Sequence, residues 1–220
     1  MHYQFDWNVV YQYRAIIWEG LLLTLLVSGL NLVLSFAIGS LVGTARHFLS
    51  WPGNLPFIAY VEFFRNIPPI VQLFFWYFAA GLDSLPASVV GLSIYSSAYI
   101  AEVIRSGYNS IARTQIDAAR SSGLSFLQMV THVVFPLAIV QMLPALTIEF
   151  INIITNSSLA MTLGVMELTF QVQQIETETF RGFEAASVVT VIYALLAIFF
   201  AALMRTVESH VTFKLKEARG

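Results

Sequence analysis

The chain has 220 residues, of which 57% are hydrophobic and only 11% are charged, and its mean hydropathy is +0.73. About one quarter of the residues of a soluble domain are charged, so this composition argues against a water-soluble fold and indicates a membrane protein. A net charge of −2 gives no sign of a nucleic-acid-binding surface, and the lack of cysteine excludes disulfides, Cys-ligated zinc and a cysteine nucleophile.

The first segment of the chain, residues 1–18, is aromatic and polar. It lacks the basic start, the apolar centre and the small-residue cleavage site of a signal peptide. Trp and Tyr are enriched where a membrane meets water, so we expect this segment to lie in the interface.

Five stretches without charged residues follow, and a helix needs about 20 apolar residues to cross roughly 30 Å of hydrocarbon. They predict an all-α membrane protein with five transmembrane helices in a single domain that extends over residues 1–220. The predicted helices lie at about residues 20–45, 55–80, 86–104, 133–154 and 185–205.

Small residues and prolines mark special positions in these helices. In the first, Ser35, Gly39 and Gly43 repeat at four-residue intervals, a spacing that lets two helices approach closely. Two prolines in the second helix and two in the fourth free backbone carbonyls, which neighbouring groups or a water-lined cavity must satisfy. These four interrupting residues are Pro68, Pro69, Pro136 and Pro144.

The distribution of Lys and Arg predicts the orientation, because basic residues accumulate on the cytoplasmic side. With the N-terminus outside and the C-terminus in the cytoplasm, only Arg14 and Arg181 lie outside. Eight basic residues then lie inside: Arg46, Arg105, Arg113, Arg120, Arg205, Lys214, Lys216 and Arg219. This orientation places residues 105–132 in the cytoplasm and the acidic segment 155–184 outside.

Each charged residue within a predicted span raises the free energy of membrane insertion by about 2.5 to 3.5 kcal/mol, unless it forms an ion pair or faces water. Glu62 and Arg65 are three residues apart, as are Glu102 and Arg105, so both are expected to form pairs along one helix. Glu149 has no such partner in its own helix. It is either a functional group that faces a cavity or a structural hydrogen-bonding group between helices.

The inner loop contains two patterns typical of helix starts. Thr114 followed by Asp117, and Ser125 followed by Gln128, both have the form of a capping box. We therefore expect two short helices, with Gly123 between them in the left-handed conformation that often ends a helix.

The first of these short helices carries two adjacent alanines, Ala118 and Ala119. Their small side chains leave the helix without bulk on one side, which would allow close approach by another protein. The alternative is that the two short helices only cover the inner face of the bundle.

One pattern spans this loop and the start of the fourth helix, in the segment DAARSSGLSFLQMVTHVVFPLA. An acidic residue, two alanines, a glycine and a proline occur at Asp117, Ala118, Ala119, Gly123 and Pro136. This segment resembles the EAA loop of ATP-binding-cassette (ABC) importer permeases. Three further segments are similar to the polar amino-acid branch of that family, most nearly its glutamate/aspartate-type permeases: SAYIAEVIRSGYNSIARTQ, VEFFRNIPPIVQLFFWYF and EFINIITNSSLAMTLGVMEL.

The resemblance implies the fold of a type I ABC importer permease, multi-pass in a bacterial cytoplasmic membrane and surrounded by lipid. Its implied partners are a cytosolic ATPase dimer, a second permease subunit that is identical or similar, and an external amino-acid-binding protein. ATP and Mg²⁺ would be bound by the ATPase, because this chain has no G-x-x-x-x-G-K-[ST] sequence, and the permease itself is not expected to be an enzyme. The residues that the resemblance assigns to coupling with the ATPase are Asp117, Ala118, Ala119, Gly123, Leu124 and Ser125.

The expected substrate pathway follows from the fourth helix and the residues after it. We expect Glu149 to meet an α-amino group, with Asn156, Ser157 and Ser158 supplying neutral hydrogen bonds. Relatives commonly have a lysine where this chain has Thr155, so the preference of the substrate site for an acidic or a neutral amino acid stays open.

Two other classes of function are compatible with a polytopic membrane protein. A secondary transporter or channel would use Glu149 as an ion or proton site, but the sequence has no visible internal repeat of broken helices, and the long inner loop favours an ABC permease. A structural scaffold would leave Glu149 and the paired prolines unexplained.

Overall fold

The computed structural model describes the backbone of residues 3–217 and the side chains of residues 3–214. The side chain of Lys216 and the whole of Arg219, both assigned to the inner side from the sequence, lie outside the described part. The helices are α1 (Trp7–Gln12), α2 (Arg14–Phe48), α3 (Leu55–Arg65), α4 (Pro69–Phe74), α5 (Ser84–Asn109), α6 (Arg113–Ser121), α7 (Phe126–Met129), α8 (Phe135–Asn156), α9 (Leu168–Thr179) and α10 (Gly182–Glu217).

The predicted all-α class is confirmed, since the described residues contain helices and no strand. Three irregular helical turns extend α4, join α7 to α8 and follow α8, at Phe75–Ala79, Val130–Val134 and Ser157–Leu163. The first long helix starts earlier than predicted, because α2 begins at Arg14 and so includes the last residues of the segment expected to lie in the interface.

Four helices in the described part are long and apolar enough to cross a membrane. They are α2, α5, α10 and the continuous helical stretch Phe126–Leu163 that includes α8. The segment expected as the second span is divided into α3 and the shorter apolar helix Pro69–Ala79. The number of five spans therefore stays a prediction, because it depends on these two pieces crossing together.

The close approach expected along α2 is present where this helix packs against α5. Ser35 is fully buried. A Cβ atom added to Gly39 would lie 2.8 Å from the carbonyl oxygen of Ser97, and one added to Gly43 would lie 2.5 Å from that of Ala101. Both distances are too short for real atoms, so the two backbones can come this close only because α2 has glycine at these positions.

The break between α3 and α4 is stabilised by side chains that replace missing backbone donors. The amide Nε2 of Gln72 donates to the carbonyl oxygens of Phe64 at 2.9 Å and of Ile67 at 3.2 Å. The amide of Asn66 donates to the carbonyl of Glu62 at 2.6 Å. The carbonyl of Arg65, which Pro69 leaves free, accepts from the Tyr99 hydroxyl at 3.4 Å, so the expectation that neighbouring groups satisfy the carbonyls freed by the first two prolines is confirmed. In the fourth predicted span, by contrast, the helix continues through Pro144.

Two carboxylates of the predicted external segment are buried structural groups. Glu167 begins α9 by accepting hydrogen bonds from the backbone N–H groups of Thr169 and Phe170, at 3.0 and 2.9 Å, and the Tyr193 hydroxyl donates to it at 2.7 Å. Burial raises the pKa of the Glu167 carboxyl, and these hydrogen bonds oppose part of that effect. Glu184 is also fully buried.

Glu184 fastens the N-terminal segment to the start of α10. Its carboxylate accepts hydrogen bonds from the Tyr3 hydroxyl and, at 2.9 Å, from the backbone N–H of Asp6. The Arg181 guanidinium donates to the carbonyl of Gln4 at 2.6 Å. Five aromatic side chains among residues 3–18 are exposed, and their position in the membrane interface stays a prediction: Tyr3, Phe5, Trp7, Tyr11 and Trp18.

Candidate functional site

The first helix of the inner loop, α6, does not start with the expected capping box. Ala112 takes the extended conformation that precedes a helix, and α6 begins at Arg113 without a side-chain cap. Thr114 is therefore already inside the first turn, where its hydroxyl no longer faces the free N–H groups, so this prediction is wrong. Asp117 is exposed and lies 3.9 Å from the Arg120 guanidinium.

The turn after α6 has the geometry expected from Gly123. This glycine has φ +78°, the left-handed conformation, and its N–H donates to the carbonyl of Arg120 at 3.0 Å. The N–H of Leu124 reaches back to the carbonyl of Ala119 at 3.4 Å. These two bonds form a Schellman motif, which satisfies the last carbonyls of α6 and reverses the chain into α7.

The second helix of the loop, α7, starts with the predicted capping box. The N–H of Gln128 donates to the Ser125 hydroxyl at 3.4 Å, and the Ser125 N–H donates to the Gln128 side-chain oxygen at 2.9 Å. Just after this cap, Phe126 and Leu127 are 65% and 71% exposed. Sequence reasoning did not single out these two residues, although adjacent apolar residues after a cap in a polar loop are the signal for an apolar tip.

The two alanines of α6 have different surroundings. Ala118 is exposed, whereas Ala119 is buried in a cluster that includes Tyr108, Ile111 and Met129. Of the two alanines, only Ala118 is therefore accessible to another protein. Ala119 is small because α6 packs closely onto the rest of the chain.

A cluster of three arginines and two glutamates connects α2, α3 and α5. Glu102 accepts from Arg46 and from Arg105, each at 2.5 Å, so the expected Glu102–Arg105 pair is present. Glu62 instead pairs with Arg46, at 3.3 Å. The expected Glu62–Arg65 pair is wrong, because α3 packs with Glu62 towards α2, while Arg65 lies 3.8 Å from Glu102 on α5.

Glu149 on α8 is half-buried and makes no ion pair with any described side chain. Asn152 follows it by three residues, so the two side chains lie on the same face of α8. The Tyr95 hydroxyl donates to that of Tyr99 at 3.4 Å. Glu149 and Asn152 thus form a short polar region on α8.

The other residues expected along the pathway do not all face this region. Asn156 follows Glu149 by seven residues, so it lies on the same face of α8 about 10 Å further along the axis. Ser157 is buried, and its hydroxyl donates to the carbonyl of Ile154 at 2.6 Å. Ser158 lies with Thr155 in a groove of about 580 Å³, which also includes Thr169, Gln173, Glu176, Thr190 and Tyr193.

Comparisons with known proteins find similarity along most of the chain. A family model described as "Binding-protein-dependent transport system inner membrane component" matches residues 35–213. The glutamine transport system permease protein GlnP of Escherichia coli (strain K12) is 36% identical over 212 residues, which cover 93% of this chain and 97% of that protein. The glutamate/aspartate import permease protein GltJ of the same strain is 30% identical, and the alignment covers 96% of each chain.

A solved structure has the same fold. It is described as the crystal structure of an amino acid ABC transporter with histidines, and the likeness covers 94% of this chain and 100% of that one. The sequence identity is 30% and the TM-score is 0.88. The described helices therefore have the arrangement of an ABC importer subunit.

Proposed function

Because this chain belongs to the family of binding-protein-dependent transport system inner membrane components, we propose that it carries a neutral polar amino acid of the glutamine type across a bacterial cytoplasmic membrane. The chain is a transmembrane permease subunit of an ABC importer, and it is not itself the ATPase. The observation that carries the choice of substrate is the likeness to a glutamine permease over nearly the full length of both proteins.

A neutral cargo is also supported by the side chains near the outer end of α8. Thr155 and Ser158 carry no charge, and Asn152 and Asn156 offer amides that both donate and accept hydrogen bonds. A second carboxylate on the substrate would find no basic partner among these four residues. An uncharged side-chain amide would find several hydrogen-bond donors and acceptors there.

The coupling site of this proposal is the helical hairpin formed by α6, the Gly123 turn and α7. Its exposed surface contains Ala118 and the apolar pair Phe126 and Leu127. An apolar tip on a polar hairpin fits a groove on a partner protein, because burying it there removes apolar surface from water. The partner is the cytosolic ATPase dimer, and its closure would move the hairpin together with α5 and α8.

The remaining partners are a second permease subunit, identical or similar, and an external amino-acid-binding protein. The pathway would open alternately to the two sides of the membrane, with ATP binding by the partner biasing the equilibrium between the two states. Glu149 and Asn156 line this pathway in our proposal, with the N-terminus outside and the C-terminus in the cytoplasm.

Reconstitution tests the proposed function directly. The permease, its ATPase and its binding protein are placed in proteoliposomes, and uptake of radiolabelled L-glutamine is measured with and without ATP on the ATPase side. We expect uptake that requires ATP, the binding protein and a hydrolysis-competent ATPase. Uptake by the permease alone, driven by an imposed proton or sodium gradient, would contradict the proposal and favour a secondary transporter.

A further inference from the structure

The last turn of α2 contacts the tip of the α6–α7 hairpin through two aromatic rings. Phe48 is the last residue of α2, and Phe126 is the first residue of α7. Their ring centres are 6.0 Å apart and their planes are at 89°, an edge-to-face arrangement within the favourable range for aromatic pairs. The contact therefore connects the hairpin to a helix that is distant from it in the chain.

Phe48 also contacts the end of α5. Its ring centre lies 5.2 Å from that of Tyr108. The Tyr108 ring in turn stacks on His47 at 5.1 Å, with an angle of 23° between the planes. The Nδ1 of His47 lies 2.9 Å from the side-chain oxygen of Asn109, which accepts a hydrogen bond from it. The C-terminal ends of α2 and α5 are thus joined by two aromatic contacts and one hydrogen bond.

Tyr108 also belongs to the core of the hairpin. It is buried in the apolar cluster that includes Ala119 of α6 and Met129 of α7. This cluster holds the buried side of the hairpin, whereas Phe48 contacts the exposed tip. The hairpin is therefore held at two places by the ends of α2 and α5.

The contact between α2 and α5 leaves little room for one helix to move without the other. A Cβ atom added to Gly43 would lie 2.5 Å from the carbonyl oxygen of Ala101, so the two backbones are already as close as glycine permits. Close-packed groups of this kind transmit a displacement because they cannot be compressed. A force that moves Phe126 is therefore expected to move Phe48, and with it α2 and α5 together.

We propose that Phe48 is a positioning residue for ATP-driven transport, which makes α2 follow the hairpin when the ATPase closes. This inference rests on the proposed function, in which the hairpin moves with α5 and α8, and it adds α2 and the residue through which α2 is moved. Phe126 is 65% exposed, so most of its surface stays free for the groove of the ATPase. Phe48 itself needs no contact with the ATPase.

The number of ATP molecules hydrolysed per L-glutamine transported tests this role, measured in proteoliposomes with the ATPase and the binding protein. Phe48→Leu keeps an apolar side chain but removes the aromatic pair, so ATP hydrolysis should continue with less uptake. We expect the ratio to rise about two- to tenfold, the factor by which the loss of an aromatic pair shifts an equilibrium. A loss of folded protein alone would lower uptake and hydrolysis together and leave the ratio unchanged. Phe48→Tyr keeps the ring and should keep the wild-type ratio.

Phe36→Leu is the matched control on the same helix. The Phe36 ring lies 6.0 Å from that of Phe150 on α8, at an angle of 70°. Phe36 and Phe48 are similarly exposed, at 42% and 36%. Phe36 lies twelve residues before Phe48, about 18 Å further from the hairpin along the helix axis. The loss of its aromatic pair should therefore leave the ratio at the wild-type value.

A double-mutant cycle shows whether the contact itself is responsible. Phe48→Leu should have little further effect on the ratio when Phe126→Leu is already present, because either change removes the same pair. Independent effects of the two changes, or a Phe48→Leu ratio equal to that of Phe36→Leu, would overturn this role, while ATP-driven uptake by the wild type would leave the proposed function intact. If the wild type shows no ATP-driven uptake of L-glutamine, the proposed function and this inference both fail.

Discussion

Two glycines of α2 have opposite surroundings, although they lie in the same helix. A Cβ atom at Gly43 would meet the backbone of Ala101 on α5 at 2.5 Å, whereas one at Gly29 would have nothing within 4 Å. The obstacle at Gly43 is a carbonyl oxygen of another helix, which cannot rotate away as a side chain can. An added methyl group must therefore push α2 and α5 apart.

We expect Gly43→Ala to lower the free energy of unfolding by about 1 to 3 kcal/mol, the usual cost of overpacking. Gly29→Ala should be neutral or stabilising by up to about 1 kcal/mol, because alanine is the better helix former. Thermal unfolding of the purified complex in detergent measures both variants against the wild type. Equal melting temperatures for the two variants would show that the glycine does not set the distance between these helices.

At the scale of elements, Gln72 determines how α3 and α4 join. The Gln72→Leu substitution keeps a side chain of similar size, but it leaves the carbonyls of Phe64 and Ile67 without their hydrogen-bond donor. We expect a loss of about 1 to 3 kcal/mol for each buried carbonyl left unsatisfied. Val71→Ala is the control in the same helix, since Val71 is half exposed and its truncation should change stability by less than about 0.5 kcal/mol. Melting temperatures in detergent give the comparison, and Gln72→Leu as stable as Val71→Ala would contradict this role.

The coupling hairpin depends on the left-handed turn between its two helices. Gly123→Val should impair ATP-driven uptake while the protein still inserts, because a β-branched residue is strained at φ +78° and the hairpin would lose its shape. Gly123→Asn is the matched variant, since asparagine tolerates the left-handed region, and it should retain most of the uptake. The readouts are uptake in proteoliposomes and co-purification of the ATPase. Normal uptake and normal ATPase binding in Gly123→Val would remove the coupling role of this turn.

At the scale of the whole molecule, the proposed roles of the α6–α7 hairpin and of the segment 155–184 both depend on the orientation of the chain in the membrane. The sequence has no cysteine, so single cysteines can be introduced without background. In intact cells, an impermeant thiol reagent should label Glu178→Cys on α9 and should label Lys214→Cys only after permeabilisation. Both positions are exposed in the structure. The opposite labelling pattern would reverse the topology and place the α6–α7 hairpin outside.

Features that depend on neighbouring residues in the chain could be predicted from the sequence alone. The Gly123 turn, the capping box from Ser125 to Gln128 and the pair of Glu102 with Arg105 are all present. Each involves residues within one helical turn of one another, so local sterics and hydrogen bonding decide it. The helical class and four of the five predicted long helices followed in the same way, because the backbone of an apolar run of this length is satisfied in a membrane only as a helix.

Other features were decided by the tertiary structure, because they depend on which helices become neighbours. The sequence placed Glu62 with Arg65, but packing of α3 against α2 and α5 gives each of them a partner on another helix. Ala119 is buried by contacts from α5 and α7, and Gln72 finds its acceptors only where the chain breaks at two prolines. Position along one helix fixes the direction of a side chain, but the charge or carbonyl that it meets is supplied by residues distant in the chain.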